Sequence, residues 1–259
     1  VKSYFLPCPF CGSLRSERLS VTDTGEAPVV QAIVICRECG LLYRNPYVPN
    51  LDESPAQDLY ASPDQDRIDA AEVAGRVPLH PHDYYLEIGC RAGYFAESFG
   101  ALRSDVNAVL IEADMSLVAQ AKQRNVHTVM LPGTLEEADL PPGAFALVVM
   151  RGVDHRFADH RANLALIVTL LREGGTLYAE RRVFAENWTP DRATTTWFGR
   201  DQFVEYLSEF LDVYDVVDRA DGARAVYGRK RPSGEQKLPA TIRNRFSEHM
   251  EIVRAHSHS

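Results

Sequence analysis

The chain lacks any apolar run of the roughly 18 residues a membrane span needs. Its opening residues, VKSYFLPCPF, lack the long apolar core of a secretory signal. A basic excess is also missing: the 259 residues carry a formal charge of −8, which gives no overall pull toward nucleic acid or an anionic membrane. A dinucleotide fingerprint, G-x-G-x-x-G, does not occur where a nucleotide-binding turn stands, which argues against NAD. Cysteine is sparse, at five residues, but four of them are paired. The expectation from these absences is a cytosolic globular protein. Its length suffices for one large α/β domain plus a small module.

The paired cysteines are Cys8-Pro9-Phe10-Cys11-Gly12 and Cys36-Arg37-Glu38-Cys39-Gly40. In a reducing compartment this spacing reads as a metal site and not as a disulfide framework. Each C-x-x-C-G sets two thiolates on one tight turn, and two such turns give the tetrahedral sulfur shell that structural Zn2+ prefers. Residues 1–47 are therefore expected to form a zinc ribbon, with Ser16 to Thr22 and Val29 to Ile35 as a small hairpin. Five basic residues there face four acidic ones, so a structural or substrate-facing cap fits better than a nucleic-acid reader. Cys90 is left over and reads as a small buried residue.

The stretch Leu86-Glu87-Ile88-Gly89-Cys90-Arg91-Ala92-Gly93-Tyr94-Phe95 organises the remainder. A buried strand, Tyr84 to Ile88, precedes a glycine turn and a helix over Tyr94 to Leu102. Backbone comes close to a ligand in such a turn, and helix N–H groups face it. A second strand, Asn107 to Ile111, ends on Glu112, where nucleotide-binding α/β folds hold a ribose diol. The alternation continues with a helix over Met115 to Arg124 capped by Asp114, and strands at Val126 to Leu131 and Phe145 to Met150. A helix over Arg161 to Leu171, stopped by Glu173-Gly174-Gly175, leads to a strand at Thr176 to Glu180. This predicts an α/β, doubly wound, Rossmann-like sheet. Asp201 is expected to cap a helix through Phe210. Leu211 to Val217 and Ala223 to Arg229 pair through a hairpin at 219–222.

Glu87, Gly89 and Gly93 resemble motif I of class I S-adenosylmethionine-dependent methyltransferases, with Arg91 in place of the middle glycine. V-L-I-E-A-D, G-T-L-E-E-A-D-L-P-P-G-A-F-A-L-V-V-M and L-R-E-G-G-T-L-Y-A-E resemble later segments of the same family. With the paired cysteines in front, the chain resembles ribbon-bearing methyltransferases that include sugar and natural-product modifiers. The resemblance implies a seven-stranded methyltransferase sheet. It also implies S-adenosylmethionine held by Glu87, Gly89, Arg91, Gly93 and Glu112, with Thr134 and Leu135 flanking the adenine. The implied domains are a ribbon at 1–47, a linker and lid helix at 48–82, the methyltransferase domain at 83–231 and a tail at 232–259.

In the lid helix, after Pro63, the expected buried side is Leu59, Tyr60, Ile68 and Val73. His80 and His82 read as solvated. Where related enzymes read H-V-L-E-H after the fourth strand, this chain has Gly152-Val153-Asp154-His155-Arg156; His155 supported by Asp154 is the implied base. Trp188, Trp197 and Phe198, with Arg181, Arg182, Arg192 and Arg200, read either as a wall for a small, anionic substrate or as loop anchors. The tail is expected to be helical from Ala240 to Arg254. Arg91, Ala146 and Gly152 depart together from the family pattern. A relative that has lost methyl transfer, and binds or does different chemistry, therefore stands as the alternative.

Overall fold

The computed structural model describes residues 5–19, 32–46, 62–153, 157, 159–184, 196–220, 222–232 and 243–256. Two sheets carry the fold. The larger has seven strands in the order β10-β11-β8-β7-β4-β5-β6. Its parallel part comprises β4 (Tyr84–Ile88), β5 (Asn107–Glu112), β6 (Val129–Pro132), β7 (Phe145–Arg151) and β8 (Leu171–Arg182). β10 (Leu211–Asp218) and β11 (Ala223–Lys230) add antiparallel at the β8 edge. The central strands are apolar because both faces are covered. Leu86, Ile88, Val148 and Met150 face one apolar cluster, while Tyr85, Leu147 and Val149 face the other, as a period of two requires.

The helices are α1 (Pro63–Arg76), α2 (Tyr94–Leu102), α3 (Met115–Arg124), α4 (His160–Leu170), α5 (Arg200–Ser208) and α6 (Phe246–His256). Asp114 caps α3 as the sequence suggests, its side chain accepting from the Ser116 and Leu117 amides. α5 differs: Gly199 is its N-cap and Asp201 lies inside the first turn. The fifth parallel strand begins earlier than expected, at Leu171, because α4 runs straight into it and Gly174, with φ of +69°, is taken up within the strand.

The smaller sheet has the order β1-β2-β3-β9, with β1 (Ser16–Arg18), β2 (Ala32–Cys36), β3 (Leu42–Asn45) and β9 (Thr196–Trp197). The expected hairpin is thus a four-stranded sheet whose last strand comes from beyond β8. The α6 helix covers it, starting later than the sequence suggests, and Met250 and Val253 pack with Ile33, Ile35, Leu42 and Trp197. The His249 Nδ1 pairs with the Gly40 carbonyl at 2.7 Å. On the other side, Phe10 packs edge-on to Tyr206 of α5, and the Gln202 side chain donates to the Cys39 carbonyl at 2.8 Å. Trp197, Phe198 and Arg181 are therefore spent on this junction: all three are buried, and Arg181 lies over the Phe198 ring while donating to the Thr196 carbonyl. Trp188 and Arg192 lie outside the described residues.

The two knuckle glycines separate backbone strain from crowding. Both have positive φ, but a Cβ on Gly12 meets nothing within 4 Å, whereas one on Gly40 would stand 2.6 Å from the Arg245 carbonyl carbon. Gly12→Ala is expected to cost about 1 kcal/mol of stability from the left-handed backbone alone. Gly40→Ala is expected to cost about 2 kcal/mol more, since rigid backbone must shift. Urea unfolding of the two variants side by side checks this, and equal losses would contradict the close approach.

Candidate functional site

The site lies at the carboxyl ends of the central strands. Chain order reverses between β4 and β7, so a crevice opens there, the usual place for a ligand in an open α/β sheet. The β4–α2 turn is built from Gly89 and Gly93, with φ of +67° and +81°. A Cβ on Gly89 would strike the Val153 side chain at 2.1 Å, and one on Gly93 the Asn125 amide at 2.4 Å. No side chain caps the N-terminus of α2. Between the glycines Arg91 also takes positive φ, at +53°. Cys90 is buried, its thiol pushed up chiefly by burial, which fits a packing role.

Glu112 ends β5 facing this turn and is buried. Its Oε2 accepts from the Arg91 amide and its Oε1 from the Asp114 amide, both at 2.9 Å. A carboxylate has about four lone-pair positions. Each Glu112 oxygen therefore keeps capacity for a hydroxyl, which suits the ribose role. Beyond β6, Gly133 leads to Thr134, exposed with its amide donating to Glu137, and to Leu135, which is buried.

Glu87 is on the α1-facing side of β4 and is fully buried, and its Oε2 has no partner among the described residues. Burial pushes its carboxyl up to about 8. Asp66 and Glu112 add to the rise, while Arg151 and Arg91 oppose it. At neutral pH Glu87 is thus mostly the uncharged acid.

Sequence reasoning missed Arg151 and the acidic row of α1. Arg151, at the end of β7, is 3% exposed and donates to Asp66 at 2.5 Å and Asp69 at 2.7 Å. Arg91 reaches the same Asp66 oxygen at 3.2 Å. Farther along α1, Glu72 accepts from Arg219 and from the Tyr227 hydroxyl, while Arg219 also holds Glu180. The α1 helix therefore turns Asp66, Asp69, Ala70 and Val73 inward, and Ile68 is exposed, contrary to the expectation for that residue. Leu59 and Tyr60 lie outside the described residues, as do Asp154 and His155. His80 and His82 are exposed, as expected. The signal that could have found the row was the i, i+3, i+6 spacing of acids 66, 69 and 72, which places them on one helix face.

In the ribbon the four cysteine sulfurs lie within 4.8 Å of one another. Cys8 and Cys39 stand 3.6 Å apart and Cys11 and Cys36 3.5 Å. Sulfurs around a tetrahedral zinc with Zn–S near 2.3 Å are separated by about 3.8 Å. The Gly12 and Gly40 amides close the knuckles onto the Cys8 and Cys36 carbonyls. The donor set and geometry fit a zinc ribbon.

The strand order, the glycine turn and the carboxylate after the second parallel strand define a class I methyltransferase fold. Residues 86–179 match the family described as "Methyltransferase domain". Solved structures share the fold. One is a SAM-dependent methyltransferase from Aquifex aeolicus (13% identity, TM-score 0.54, covering 66% of this chain and 99% of its own). Another is the N-methyltransferase NodS from Bradyrhizobium japonicum in complex with S-adenosyl-L-homocysteine (20%, 0.54, 70% and 94%). A third is the [4+2]-cyclase SpnF (16%, 0.55, 64% and 81%). At these identities the likeness is one of fold. No curated protein matches the chain.

The Glu87 carboxyl is higher in the fold than its ordinary value near 4.5. Its contribution to stability is therefore full below about pH 4.5 and is lost as pH rises through about 8. Glu87→Gln should remove that loss, so its stability advantage over the native protein should grow between pH 5 and 8, toward a few kcal/mol by order of magnitude. Denaturant midpoints across this range test it; parallel pH profiles would show that Glu87 is ionised throughout.

Proposed function

We propose that the protein is an S-adenosylmethionine-dependent methyltransferase acting on a small polar metabolite of the sugar or natural-product kind. The observation that carries this is Glu112, a buried carboxylate with spare acceptor capacity, facing an uncapped helix N-terminus across a glycine turn. The match of residues 86–179 to the methyltransferase family and the homocysteine-derivative complex of NodS support it. No described helix is long and apolar enough to cross a membrane.

The residues present fit the cofactor's adenosine half: Glu112 for the ribose, Thr134 and Leu135 beside the adenine, and the Gly89–Gly93 turn along the chain between them. At the other half, Glu87 and Arg91 would hold the amino-acid end. When bound, S-adenosylmethionine supplies a methyl group on an already electrophilic sulfonium. The protein's own contribution is therefore alignment and exclusion of water. Under this assignment the buried side of α1 shields the site from solvent, and Val153, packed on Gly89, directly precedes Asp154 and His155 in the chain. In this reading His155, oriented by Asp154, takes the proton from a hydroxyl acceptor. The ribbon serves as a zinc-bound structural cap, supported by its buried contacts with α5 and α6.

Calorimetric titration with S-adenosylmethionine and S-adenosylhomocysteine tests the cofactor site. Micromolar binding is expected, weakened about tenfold or more in Glu112→Gln, because a ribose hydroxyl then loses a charged acceptor. Absence of binding by the native protein would overturn the reading and favour a fold relative with other chemistry. Metal analysis is expected to find one equivalent of zinc per chain. Its removal by a chelator should lower the melting temperature, because metal affinity is linked to folding of the ribbon. A protein free of zinc at every purification step would contradict this.

A further inference from the structure

The described residues hold one buried cluster in which opposite charges are matched yet donors are left over. Asp66 Oδ1 accepts from both Arg91 Nη2 and Arg151 Nη2, and the three side chains are 10% exposed or less. Arg151 gives that same nitrogen to Asp69, while its Nε and Nη1 have no partner among the described residues. Those nitrogens carry three N–H donors, and a buried donor left unmade is unfavourable. Each of the two nitrogens makes a two-bond fork for a carboxylate only together with Nη2, the nitrogen that Asp66 and Asp69 share. Only Phe95, with the Arg151 guanidinium 5.2 Å over its ring, offsets part of the loss.

Position adds the second argument. A ligand lying from Glu112, at the end of β5, across the turn after β4 arrives next at the end of β7, where Arg151 stands. β4 pairs with β5 on one side and β7 on the other, with Ile88 level with both Ile111 and Met150. The ligand's far end therefore meets the two arginines that Asp66 now occupies. Asp66 itself is in the first turn of α1, whereas the apolar anchors Ala70 and Val73 come later. First turns open at the least cost, and Ser62 holds this one by its carbonyl, which accepts from the Asp66 amide at 2.9 Å, and by a longer 3.4 Å side-chain cap bond.

We propose that Arg91 and Arg151 form a carboxylate site for the amino-acid end of the cofactor, and that Asp66 is a built-in competitor that must leave it before the ligand is held. This rests on the cofactor assignment above. The ligand carboxylate takes over the bonds of Asp66 and can also use the unpaired donors of Arg151, so exchange leaves the arginines better satisfied than before. Asp69 stays on Arg151 and keeps the later turns of α1 in place. The site consequently selects for a ligand with a carboxylate, and Arg91, which departs from the family's glycine, is a specificity residue.

The test is calorimetric binding of S-adenosylmethionine and of decarboxylated S-adenosylmethionine, which differ only in the carboxylate, to the native full chain, Asp66→Asn and Arg91→Gln. Asp66→Asn should bind S-adenosylmethionine about tenfold or more tightly, with the decarboxylated form changed little, since only the former competes for a charged fork. Arg91→Gln should weaken S-adenosylmethionine by a similar factor and again spare the decarboxylated form. Circular dichroism of each variant confirms folding. If both compounds bind but shift equally, or Asp66→Asn has no effect, or Arg91→Gln tightens binding, the competitor site is refuted and the methyltransferase reading stands. If neither compound binds the native protein, the cofactor assignment falls and takes this inference with it.

Discussion

Burying a charge costs several kcal/mol unless an opposite charge comes with it, and the arrangement of this fold's active face follows from that constraint. Three strands end on ionisable side chains directed to the same face: Glu87 on β4, Arg151 on β7 and Glu180 on β8. None is covered by apolar residues alone. The α1 helix answers them with Asp66, Asp69 and Glu72, and Arg219, next to the end of β10, closes the row. Glu87 has no ion pair among the described residues, and its burial outweighs the pull of Arg151 and Arg91, which raises its carboxyl. The helix thus docks through ion pairs as much as through Ala70 and Val73, which makes it both well placed and exchangeable.

The ribbon is integrated with the larger domain by a different means. Its sheet borrows β9 from the segment after β8, its first knuckle is capped by Arg161 donating to the Phe10 carbonyl, and its second is gripped by Gln202 and His249. Phe10, Phe198 and Tyr206 form a shared aromatic centre. The cysteine cluster therefore stands against the larger domain and not apart from it.

What the sequence disclosed was what depends on neighbours along the chain. Continuous apolar runs revealed the parallel strands, Asp114 revealed the start of α3, and the paired cysteines revealed their cluster. What depends on distant partners stayed hidden. β3 and β9 are short and acquire strand character only by pairing with each other and with β2. Trp197, Phe198 and Arg181 read either as a substrate wall or as anchors, and the junction with the ribbon uses them as anchors. Asp66 reads as a solvated helix residue until Arg151, 85 residues on, is brought beneath it. Ile68 suffered the opposite error: hydrophobicity suggested the inner face, but the acids had claimed it.

The interlock between the ribbon and α6 bears on how the chain comes to be folded. Gly40 meets His249 across 209 residues of sequence. The ribbon is therefore completed by a helix synthesised long after it. Until then Ile33, Ile35 and Leu42 lack the cover that Met250 and Val253 provide. Such long closures are slow to form, and exposed strand edges invite wrong pairing meanwhile. The four cysteines, by contrast, span only residues 8–39, so their cluster can close while the rest of the chain is still being made. The cysteine turns are in this sense a placeholder, keeping the ribbon in register for a partner that is synthesised much later.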